Sequence, residues 1–180
     1  MISGKHIGLR AIEQGDLEPL RHWRNKPYFR RYFREYREIS ASMQQRWFDT
    51  MVENDPRTRM FAIQRLSDGE LMGACGLCYI DPINKNADFS IYIGRDDLYI
   101  DDTYAHEAGE LLLTYGFEEL TLHRIWAEIY SIDDAKQAFL PKLGFQLEGR
   151  HRQTHFTENK WVDSLFYGLL KADYRGSSIA

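Results

Sequence analysis

The sequence predicts a single α+β domain of strands and helices around one core. Three observations carry this. The first half reads strand, helix, helix, strand, strand, strand. The second half alternates helix and strand. The length of 180 residues suits one domain. Apolar residues make up 43% and charged residues 28%, the balance of a chain that buries a core.

Residues 5–12 carry a strand centred on His6-Ile7-Gly8-Leu9-Arg10. Asp16 opens a helix whose apolar residues Leu17, Leu20 and Trp23 keep helical spacing, and Pro27 stops it at or before Lys26. An aromatic and arginine-rich run, Tyr28 to Arg37, leads to a second helix from Ser42, with Gln45 as the capping-box partner. Strands over 59–66 and 71–80 flank the Asp68-Gly69 turn. A strand over 87–94 follows the loop 82–86. A polar connection over 95–102 precedes a helix over 103–119, amphipathic through Ala105, Ala108, Leu111, Leu112 and Tyr115. A strand over 124–130, a short helix capped by Asp133 or Asp134 and ended by Pro141 and Gly144, and strands over 145–148 and 165–170 complete the chain. The connection between those last strands contains a polar turn over 157–160. Residues 1–175 form the domain and 176–180 a tail.

Charge is uneven. Residues 1–66 hold 13 Lys/Arg against 8 Asp/Glu, and residues 67–180 hold 10 against 19. The overall −4 argues against a nucleic-acid partner. No apolar run spans a membrane, and Met1 to His6 lacks a signal-peptide core, so a cytoplasmic location is expected. No Cys/His grouping has zinc spacing, and no metal is expected. Cys75 and Cys78 match C-x-x-C, but within a strand that spacing puts them on opposite faces; small buried cysteines are expected.

Several segments in order resemble the GNAT (Gcn5-related N-acetyltransferase) superfamily. They are Phe89-Ser90-Ile91-Tyr92-Ile93-Gly94, Leu122-His123-Arg124-Ile125-Trp126-Ala127-Glu128, Lys142-Leu143-Gly144-Phe145 and Trp161 to Leu170, with Leu9-Arg10-Ala11-Ile12 and Trp23-Arg24-Asn25 before them. The branch is similar to bacterial ribosomal-protein N-terminal and amino-sugar N-acetyltransferases. The resemblance covers roughly residues 5–175.

It implies a single-domain GNAT fold, a mixed central β-sheet flanked by helices whose fourth and fifth strands splay apart, and acetyl-CoA as co-substrate. Pantetheine would pair with the strand over 87–94, at Ile91, Tyr92 and Ile93. The pyrophosphate would sit on the next helix's N-terminus, at Asp102, Thr103, Tyr104 and Ala105, where free N–H groups and the helix dipole favour an anion. The family's Gln/Arg-x-x-Gly-x-Gly/Ala loop is absent: Leu98, Asp101 and Thr103 stand in its three marked places. Three readings follow. Backbone N–H groups still hold the phosphates while Asp102 or Thr103 caps the helix; the donor is an acyl group on a carrier protein; or the chain is a non-catalytic binding module. Asp133 stands where relatives often touch the cofactor, and it equally fits a helix cap.

The expected activity is acyltransfer, with direct attack of a primary amine on the thioester. The resemblance assigns the general base to Glu128. The family's usual tyrosine acid is replaced by Leu140, which makes Tyr130 the substitute donor, with Tyr92 behind it. Asp88, Arg30, Arg34 and His151 are expected to line the acceptor site, the arginines pairing with phosphate or carboxylate. The acceptor is a small amine such as an amino sugar, or a peptide N-terminus. The oligomeric state is open, a homodimer included.

Overall fold

The computed structural model describes residues 1–176. In chain order the strands and helices are β1 Ile2–Ser3, β2 Ile7–Arg10, α1 Leu17–Asn25, α2 Pro27–Arg30, α3 Ala41–Trp47, β3 Arg59–Arg65, β4 Leu71–Asp81, β5 Asn86–Ile93, α4 Tyr104–Thr114, β6 Arg124–Tyr130, α5 Asp134–Lys142, β7 Gln146–Thr157 and β8 Lys160–Leu170. The eight strands form one sheet in the order β1-β2-β3-β4-β5-β6-β8-β7. Only β5 and β6 run parallel; every other neighbouring pair is antiparallel.

Alternation along the central strands divides the core between the two faces. Ile63, Cys75, Ile91 and Ile93 pack with Ala105, Ala108 and Leu112 of α4 and Phe139 of α5. Ala62, Ala74 and Tyr92 face the other way, against Leu17, Leu20 and Trp23 of α1 and Phe29 of α2. Gly94 lets the Trp23 ring lie against the end of β5; a Cβ there would collide with the indole. That contact fixes α1 over the C-terminal half of β5.

Three local expectations change. The second helix is capped by Ser40, whose Oγ accepts from Met43 N at 3.2 Å, and not by Ser42. Gln45 accordingly bonds Gln14 and Asp49 and closes no capping box. The last two strands are far longer than 145–148 and 165–170. They form a hairpin of 12 and 11 residues, turned by Glu158 and Asn159 at φ 50° and 60°. A type I′ turn needs positive φ at both positions. β7 is an edge strand, largely exposed on both faces, so it carries no alternation from which its length could be read. The tail expected at 176–180 lies, from residue 177, outside the described residues.

Candidate functional site

β5 and β6 pair only over Asn86–Asp88 and Arg124–Trp126, then diverge. Gly94 N donates to Met72 O, while Ile93 N donates to Tyr99 O, away from β4. By antiparallel alternation the main-chain groups of Ile91 also point away from β4, into the gap that β6 leaves open. Of the three residues expected to meet pantetheine, Ile91 presents backbone groups to the gap. The N–H of Ile93 is occupied, and Tyr92 puts its side chain on the opposite side of the strand plane from Ile91.

The splay opens onto a cavity of about 310 Å³, lined by Asp88, Phe89 and Ser90 of β5, Ala127, Glu128 and Ile129 of β6, and Lys136 and Leu140 of α5. Arg34, from the chain after α2, spans it. Its Nη2 donates to Glu128 Oε2 at 2.8 Å, and its Nη1 lies 3.8 Å from Asp88 Oδ2. Two carboxylates, one from each arm of the splay, therefore converge on one guanidinium. Asp88 is only 8% exposed. Burial pushes its carboxyl up to about 7, although Arg34 and Lys136 pull the other way.

A second cavity, about 290 Å³, adjoins the first and shares Arg24, Phe33, Glu35 and Ser90 with it. It reaches under α3 to Gln44, Trp47 and Tyr92. Arg24, Gln44 and Lys136 were not among the candidates read from the sequence. Gln44 had a signal: with Trp47, Phe48 and Met51 it falls on the inward stripe of its helix, where a polar residue is out of place. Lys136 had none.

On the donor side, the Asp101 carboxylate accepts from Thr103 N at 2.9 Å, Tyr104 N at 2.8 Å and Ala105 N at 2.8 Å. The N–H groups expected to be free for a pyrophosphate are thus taken by a side chain. Thr103 holds the N-cap position, one of the two expected, but its side chain caps nothing; the capping carboxylate is that of Asp101, and exposed Asp102 pairs with Lys142 at 2.6 Å. Both Asp133 oxygens are engaged: Oδ1 caps α5 through Lys136 N at 3.0 Å, and Oδ2 accepts from Tyr99 Oη at 2.7 Å. That bond ties the loop before α4 to the head of α5, and the Tyr99 ring, stacked on Tyr32 at 4.7 Å, ties the same loop to the chain after α2.

Of the candidates named from the sequence, Arg34, Asp88 and Glu128 lie together. Tyr130 shares the strand face of Glu128 but stacks on His155 at 3.9 Å and does not line the cavity. His151 lies on exposed β7 against Phe166. Arg30 does not line it either; the neighbouring Arg31 bonds Glu158 of the hairpin turn at 2.8 Å. Among the described residues no group of three His, Cys, Asp or Glu could hold a metal ion, and no helix is long and apolar enough to cross a membrane.

The cysteines lie on opposite sides of β4, Cys75 in the core and Cys78 at the cavity. Burial pushes the Cys78 thiol up to about 12 and Cys75 further. Alkylation of the folded protein by iodoacetamide at pH 8 is expected to be on the order of a thousandfold slower than that of glutathione. Labelling at the glutathione rate would contradict this assignment.

Comparison with known proteins matches residues 6–146 to the acetyltransferase (GNAT) domain. The chain is 26% identical over 174 residues to the uncharacterized N-acetyltransferase p20 of Bacillus licheniformis, covering 96% of this chain and 97% of that protein. It is 25% identical to the spermidine N(1)-acetyltransferase of Escherichia coli, over 97% and 91% of the two chains. The fold superposes on the spermidine N-acetyltransferase of Vibrio cholerae, solved with CoA and spermine. The TM-score is 0.84 at 24% identity, over 94% of this chain and 98% of that one.

Proposed function

This chain belongs to the GNAT acetyltransferase family, and from that membership we propose that it moves the acetyl group of acetyl-CoA to the primary amine of a small molecule. The observation that carries the reading is the pair Asp88 and Glu128, facing each other across the splay around Arg34. Acetyl-CoA would enter between the diverging strands, its pantetheine meeting the free main-chain groups of Ile91. The size of the cavity, about 310 Å³, favours a small amine over a protein N-terminus.

The amine must lose a proton as it attacks. A carboxyl near 7 is poised to take it at working pH, whereas an ordinary carboxylate is a weak base. Asp88 is therefore the proposed proton acceptor, in place of the sequence-based assignment to Glu128. Glu128 fixes Arg34 and thereby the mouth of the acceptor site. As the amine nitrogen bonds to the carbonyl carbon, the C–S bond breaks and the thiolate leaves, protonated by water.

Calorimetry with acetyl-CoA, and thiol release on adding an amine, test the reading. Folded protein that fails to bind acetyl-CoA would sink it. Glu128→Gln is expected to lower kcat/KM by about 10–100-fold through lost positioning and, because the Glu128 charge helps to raise the Asp88 carboxyl, to move the rise of activity to lower pH without abolishing it. Loss of that pH dependence would return the base to Glu128. The relatives named for spermidine support a second reading, a polyamine acceptor.

A further inference from the structure

We infer that the acceptor carries an anionic group, a carboxylate or phosphate, seated at Arg24 in the cavity under α3, with its amine reaching Asp88 and Glu128. This rests on the acetyltransfer reading and deepens it.

The argument is one of partners. Each carboxylate at the cavities has a cation: Glu128 and Asp88 share Arg34, and Glu35 is held by Arg37 at 2.6 and 2.9 Å. Two cations have no such partner among the described residues. Arg24 stacks its guanidinium 3.8 Å from the Phe33 ring centroid, and its Nε is buried without a hydrogen bond. Lys136 lies 5.5 Å from the Tyr99 ring and 5.9 Å from that of Phe33, with no ion pair. Desolvation lowers the pKa of both and outweighs the more distant pull of Glu35 on Arg24 and of Asp133 and Asp88 on Lys136.

Around Arg24 the cavity also offers the Gln44 amide, the Ser90 hydroxyl and the Tyr92 hydroxyl, none bonded to another side chain among the described residues. A charged fork beside three neutral hydrogen-bonding groups suits carboxylate or phosphate oxygens. It does not suit a polyamine, whose second ammonium would meet Arg24 and Lys136 with no carboxylate spare. The shared volume between the two cavities lets one molecule span both sites.

The test is thiol release from acetyl-CoA with matched amines: ethanolamine against O-phosphoethanolamine, glucosamine against glucosamine 6-phosphate, propylamine against β-alanine, and spermidine. The expected result is at least a tenfold higher kcat/KM for the anionic member of a pair. The phosphate and carboxylate pairs tell which oxyanion fits. In Arg24→Gln that ratio is expected to collapse toward one, and Arg24→Lys to restore part of it. Gln44→Ala, expected to lower the ratio, serves if Arg24→Gln does not fold. Equal or better use of spermidine or the uncharged amines overturns the inference while acetyl transfer stands. If no amine releases thiol, thermal melting with inorganic phosphate decides. A rise in Tm in the wild type that Arg24→Gln abolishes upholds the anion site and removes the acetyltransfer reading; no rise removes the anion site.

Discussion

Asp88→Asn is expected to cost activity and to stabilise the fold, and both effects follow from one buried carboxyl. As proton acceptor it contributes about 10²–10⁴-fold to the rate, so kcat/KM falls by that factor. The rise of activity through about pH 7 disappears with it. Stability moves the opposite way. Below about pH 4 the carboxyl is protonated in the folded and unfolded chains alike, and wild type and variant agree. Because the folded value is raised, the folded chain holds the proton more tightly from there to about 7. Above 7 the wild type carries a desolvated charge that the unfolded chain gives up to water. Carrying that buried charge costs the folded wild type on the order of 2–4 kcal/mol at pH 8. Melting at pH 8 is expected to rise by roughly 5 °C or more in the variant, and the gain to vanish near pH 4. A variant that is active but no more stable at pH 8 would overturn the assignment of Asp88.

Asp101→Gly is expected to strengthen acetyl-CoA binding and weaken the fold. The wild-type carboxylate occupies the N–H groups of Thr103, Tyr104 and Ala105, so a pyrophosphate arriving at α4 meets filled donors and a like charge. Removing the side chain frees three donors and deletes the repulsion. A gain of about 10-fold or more in affinity is expected, equivalent to roughly 1.4 kcal/mol. Loss of the cap costs about 1 kcal/mol of stability. Calorimetry with acetyl-CoA and with pantetheine reads the outcome. Tighter acetyl-CoA with unchanged pantetheine locates the effect at the phosphates. No gain for acetyl-CoA means that Asp101 does not compete at this seat, and tight pantetheine binding without any contribution from the nucleotide half would favour a carrier-protein donor.

The elements were legible wherever burial left an apolar stripe or run. The strands over 59–66, 87–94 and 124–130 stand within one residue of their sequence-based bounds: β6 buries an alternating face, whereas β3 and β5 are short apolar runs bounded by turns, β5 buried on both faces. The helix at α4 shows its apolar stripe directly, and Asp133 caps α5 as one of two expected residues. The segment 149–157 was not legible as strand, since an exposed edge strand is held by its partner's main chain and not by its own pattern.

The site divides along the same line. The resemblance to the GNAT superfamily implied that Asp88 and Glu128 lie on its fourth and fifth strands and that arginines from the α2 region wall the acceptor site, and the sequence itself showed that the donor loop lacks the family's glycines. Only the tertiary structure decided which arginine reaches the carboxylates and that Tyr130 turns to His155. It also decided that Asp101, not Asp102, fills the head of α4, and that Arg24 and Lys136, beside Phe33, make no ion pair among the described residues. Pairing and desolvation depend on what other segments bring within a few ångströms, and that proximity is a property of the packed chain, absent from any local stretch of it.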